Sequence, residues 1–129
     1  MNLNEKVEYW IELATEDIEV AQELLNIGKV LYAGFMCHLA VEKALKAKIE
    51  SIGKTPLKIH NLIRLAEMGG LLIIMTDEKK ELFKTLNPLQ IEARYPEHKK
   101  KIADALTSEE CAGMILQAKD MITWISTQL

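Results

Sequence analysis

The sequence is sparing with the residues that punctuate folds and build special sites. Three Pro and six Gly offer few turns, and two Trp, three Tyr and two Phe are the whole aromatic complement of 129 residues. That composition is neither collagenous nor low in complexity, and no internal repeat is visible. Two cysteines, Cys37 and Cys111, are too few for a disulfide framework or a four-ligand zinc site. Both fall inside apolar runs, so they are expected to be reduced core thiols of a cytoplasmic protein. An excess of positive charge is also missing: 16 Lys and Arg face 19 Asp and Glu, for a net charge of −3. Whole-molecule steering toward nucleic acid or an anionic membrane is thereby excluded, and any polyanion site must be a local patch.

Long apolar runs are absent as well. The longest, 71–75, is far short of the roughly 20 residues a membrane helix needs. The first residues are acidic and amphipathic, with no basic segment leading into an apolar one, so secretion is not expected. There is no glycine-rich phosphate loop, no His-Glu-x-x-His, no serine nucleophile elbow and no cysteine cluster. No metal or cofactor is expected from the residues.

What is present is helical patterning in a chain that is 49% hydrophobic and 27% charged. Its length suits one domain, 1–129. Val7, Ile11, Ala14, Ile18, Ala21 and Leu25 recur at three- and four-residue steps and predict a helix over about 4–27, stopped by Gly28. A second helix over 29–52 is apolar on nearly every face of its first half. Leu31, Gly34, His38, Val41 and Leu45 form one row, and Ala33, Cys37, Ala40, Ala44 and Ala47 a second. One small bundle core does not easily surround such a segment. A second subunit is therefore expected against it, with Tyr32, Phe35, Met36 and Leu39 at the interface.

Ile59, Leu62, Ile63 and Ala66 mark a short third helix ending at Gly69 and Gly70, and 71–75 reads as an apolar connector. Thr76 caps a fourth helix that Pro88 breaks or kinks near Asn87 before it runs on to about 93. A basic connector follows over 94–101, and Thr107 with Glu110 opens the last helix as a capping box. The fold class is all-α: a five-helix antiparallel up-and-down bundle, two long helices plus shorter ones.

The segment 94–101 (RYPEHKKK) holds the most chemistry. Arg94 can clamp a phosphate with two parallel hydrogen bonds, His98 can move a proton near neutral pH, and three lysines add diffuse attraction. The alternative is a solvated basic turn. His38 and Glu42 have the one-turn spacing of a metal-ligand pair, without a third ligand at a recognisable distance. His60 reads as a cap or a partner of a backbone group. Lys43 and Lys46 read either as a phosphate-facing pair or as solvating residues.

Several segments together carry a resemblance: 9–18 (YWIELATEDI), 32–35 (YAGF), 40–47 (AVEKALKA), 60–62 (HNL), 87–88 (NP) and 93–96 (ARYP). In order and over almost the whole chain they resemble the HEPN (higher eukaryotes and prokaryotes nucleotide-binding) family, of the kind paired with minimal nucleotidyltransferases. The resemblance implies an up-and-down helical bundle that dimerises. It also implies a two-protein module with a nucleotidyltransferase, in which the HEPN protein is typically the toxin, and no cofactor. In active members, an Arg and a His brought together across the dimer carry metal-independent endoribonuclease chemistry; here they match Arg94 and His98. Between these two lie three residues, fewer than the family motif has, and one of them is Pro96. The expected function is therefore binding of a nucleotide or RNA phosphate by Lys43, Lys46, Arg94 and Tyr95 within such a module. An endoribonuclease toxin and a ligand-free helical interaction module are the alternatives.

Overall fold

A computed structural model describes residues 1–92, Tyr95, Glu97 and 106–129 of the chain. Helix α1 spans Leu3–Asn26 and α2 spans Val30–Ser51. The short α3 covers Leu62–Met68 and α4 covers Asp77–Leu86. A single turn, α5, runs over Leu89–Glu92, and α6 spans Ser108–Thr127. No strand occurs among the described residues, and the chain is all-α. The fourth helix is broken at Asn87 and Pro88, which separate α4 from α5. The last helix, with 20 residues, joins the two predicted long ones, so the frame is three long helices with the short ones across one side.

Helix ends follow local chemistry. Asn2, Thr76 and Thr107 each accept a hydrogen bond from a backbone N–H three residues on, satisfying donors that the helix itself leaves orphaned. Gly28 follows α1 with φ of 80°, the left-handed conformation that a side chain would resist. The apolar run 71–75 forms one 3₁₀ turn, Leu72–Ile74, in which Leu71 and Met75 are buried and Ile73 is exposed.

Helix α2 is the centre of the molecule. It touches each of the other described helices, and α1 and α6 also touch one another. The small-residue row of Ala33, Cys37, Ala40, Ala44 and Ala47 is fully buried, as are Ala14 and Ala21 of α1 and Ala118 of α6. Small side chains let helices approach closely, and the larger Phe83, Leu45, Leu65, Leu86 and Ile125 fill the remaining space. A single chain thus covers most of α2, more than its all-round apolarity suggests. The long α6 and the short helices α3, α4 and α5 supply the cover that α1 alone does not. What is left is a half-buried strip of Phe35, Met36 and Leu39, with Tyr32 39% exposed beside it.

Gly34 marks a close approach on α2. A β-carbon there would lie 3.1 Å from Leu89 Cδ1 and 3.3 Å from Leu106 Cδ2. The last turn before the basic segment and the first described residue after it therefore meet over the same glycine.

Candidate functional site

The middle of α1 and the middle of α2 face each other across a charged layer inside an otherwise apolar contact. Asp17 is 7% exposed, and the Lys43 ammonium lies 2.7 Å from its Oδ2. Burial pushes the Asp17 carboxyl above its ordinary range, and Lys43 pulls it back only in part. Next to Lys43 in the chain, Glu42 is 5% exposed and accepts from Lys46 Nζ, one turn on, at 3.1 Å. The Lys46 ammonium also lies 5.8 Å from the centre of the Trp10 ring, within cation–π range.

The second oxygen of Glu42 faces the chain just before α3. His60 Nδ1 is 2.8 Å from Glu42 Oε1, and His38 Nε2 is 2.9 Å from the carbonyl oxygen of His60. A carbonyl only accepts, so His38 donates from Nε2. The ionised carboxylate likewise only accepts, so His60 donates from Nδ1. His38 is fully buried and its Nδ1 stands 3.8 Å from Glu42 Oε1. This histidine works as a structural clamp between α2 and the approach to α3. Among the described residues, no three of His, Cys, Asp and Glu converge as a metal site would require.

The candidate residues from the sequence are distributed unevenly. Lys43 and Lys46 do share one face of α2, but each comes with its own carboxylate, so an incoming phosphate must compete with Asp17 and Glu42. Tyr95 is 53% exposed and Glu97 is exposed. Arg94, His98 and the lysines after it lie outside the described residues. Cys37 and Cys111 are free and fully buried. Burial pushes the Cys37 thiol up to about 12 and raises that of Cys111, so neither is a nucleophile near neutral pH.

Two pairings escape a reading of the sequence. Asp17 falls three residues after Ala14 and four before Ala21, on the inner stripe of α1, and that position is the signal for a buried carboxylate. His60 and Glu42 are 18 residues apart, and no local spacing announces their contact.

Comparison with known proteins agrees with this architecture. The sequence model of the HEPN domain matches residues 7–128, and the chain belongs to that family. Among solved structures, the crystal structure of TT1696 from Thermus thermophilus is similar to it with a TM-score of 0.84. The match has 22% sequence identity and covers 96% of this chain and 98% of that one, a likeness of fold. Comparison with curated protein sequences finds no match. No helix among the described residues is long and apolar enough to cross a membrane.

Proposed function

We propose that this HEPN domain is a nucleotide- or RNA-phosphate-binding component of a two-protein module with a minimal nucleotidyltransferase, acting as a dimer in the cytoplasm. The observation that carries the reading is the family match across residues 7–128. Arg94 is the principal phosphate contact, by its planar fork of donors, and exposed Tyr95 offers a face for a base. Lys43 and Lys46 contribute only as far as a ligand can draw them from Asp17 and Glu42. The short Arg94–His98 spacing and the intervening Pro96 favour binding over strand cleavage.

The test is binding of ATP and of a short single-stranded RNA to the purified protein, with a cleavage assay in EDTA alongside. Arg94→Ala is expected to weaken binding by roughly 1.5–3 kcal/mol, the worth of a charge-assisted hydrogen bond, while His98→Ala changes little. Cleavage that survives EDTA, leaves 2′,3′-cyclic phosphate ends and disappears in His98→Ala would replace this reading with an endoribonuclease. Absence of any Arg94-dependent binding would leave a helical interaction module. A nucleotidyltransferase gene beside this one supports the module, and co-purification of the two products tests it.

A further inference from the structure

His60 differs from the other histidine of the described structure in having one edge in solvent. Its side chain is 42% exposed, while that of Glu42 behind it is only 7% exposed. With Nδ1–H donated to Glu42 Oε1 at 2.8 Å, the ring nitrogen left for further chemistry is Nε2, on the edge away from the buried carboxylate. The backbone under the ring is fixed as well. The His60 carbonyl accepts from His38, and the next residue, Asn61, caps α3 and accepts from Asn87 Nδ2 at 3.4 Å. That last bond ties the site to the junction of α4 and α5, from which the chain continues toward Arg94.

The local charge decides what this edge can do. From α2, the groups facing His60 are Glu42, Lys46 bonded to it, and His38, which donates to the His60 carbonyl. Farther along the α1–α2 contact, Asp17 and Lys43 cancel. Beside the approach to α3, Asn61 and Asn87 are bonded to each other and carry no charge. Glu42, Lys46 and a neutral His60 sum to zero. A proton on Nε2 makes the cluster singly positive and turns that nitrogen from an acceptor into an outward-facing donor, the property a phosphate oxygen needs.

We propose that His60, held by Glu42 and Lys46, is a second phosphate contact of this domain, engaged when its own ring is protonated. The proposal rests on the reading that the protein binds a nucleotide or RNA phosphate, and adds a site outside the Arg94 segment. A tie that merely fastens the approach to α3 onto α2 would account for the His60–Glu42 bond but would ignore phosphate.

The experiment follows the His60 ring resonances of the full chain from pH 5 to 8.5, in chloride and then with inorganic phosphate, AMP or a short single-stranded RNA. Because the bound anion favours the protonated ring, each bound probe is expected to move the His60 titration to higher pH. Affinity should be about five- to tenfold greater at pH 6 than at pH 8, as reciprocal linkage requires. His60→Gln keeps an N–H for Glu42 and is expected to remove the pH dependence of binding without lowering the melting temperature. Should that variant not fold, the wild-type titration still decides. A His60 titration that none of the probes moves, while Arg94-dependent binding persists, reduces His60 to a tie and leaves the reading of Arg94 standing. A His60 response that Arg94→Ala leaves intact does the opposite. A response to AMP and inorganic phosphate alike identifies a terminal phosphate as the ligand, and a response to RNA alone identifies the phosphodiester backbone.

Discussion

Asp17 shows how one side chain carries a cost the bundle tolerates. It sits among Ala14, Ile18 and Ala21 on the inner face of α1, and burial raises its carboxyl from the ordinary value of 3.8 despite the Lys43 ammonium. The native protein therefore holds this proton more tightly than the unfolded chain. Between 3.8 and the raised native value, the native state binds more protons, so stability falls as pH rises through that window and stays lower above it. Asp17→Asn lacks this dependence. Urea unfolding at pH 4 and pH 7 is expected to show the variant gaining on the wild type at the higher pH; a constant difference would contradict the assignment. The position of Asp17 on the inner stripe is legible in the sequence, but its partner is not, because Lys43 is reached only when α1 and α2 fold against each other.

At the level of elements, the start of α3 depends on two asparagines from different places. Asn61 accepts from the backbone N–H groups of Ile63 and Arg64, and Asn87 Oδ1, at the C-terminal end of α4, accepts from Leu62 N at 2.9 Å. A seven-residue helix has little stability of its own, so caps matter more to it than to α1 or α6. Asn87→Ala is expected to cost about 1–2 kcal/mol and to expose the Leu62 amide first, read by hydrogen exchange. Asn87→Asp keeps the acceptor and should cost less. Backbone chemistry in the sequence identifies the break at Asn87 and Pro88, and stripes of period 3.6 identify the helices. Neither reveals that the residue ending one helix also caps another, since that bond spans 25 positions. The same limit hides Glu42 from His60, while the i, i+4 pair of Glu42 and Lys46 is open to inspection.

On the scale of the whole molecule, the half-buried strip of Phe35, Met36 and Leu39 is where a second copy of the chain is expected. The wild type should sediment as a dimer at micromolar concentration. Met36→Glu should shift it toward the monomer and lower its melting temperature, because a charge would be forced into a partly apolar contact. A monomeric wild type would remove the dimer from the proposed function. The sequence shows that α2 is apolar all round, but not how much of it α6 and the short helices cover.

The meeting of Leu89 and Leu106 over Gly34 has a bearing on how this fold can change over time. Leu89, before the basic segment, and Leu106, after it, approach the same spot on α2. Loop-closure entropy grows only slowly, by about 0.6 kcal/mol for each doubling of length. Adding a few residues between Glu92 and Leu106 is therefore expected to leave the melting temperature almost unchanged. Arg94 and His98 fall between these two leucines in the sequence, so changing their spacing tests the proposed phosphate contact apart from the core, whereas a methyl group at Gly34 would press on both leucine side chains, which must give by a few tenths of an ångström.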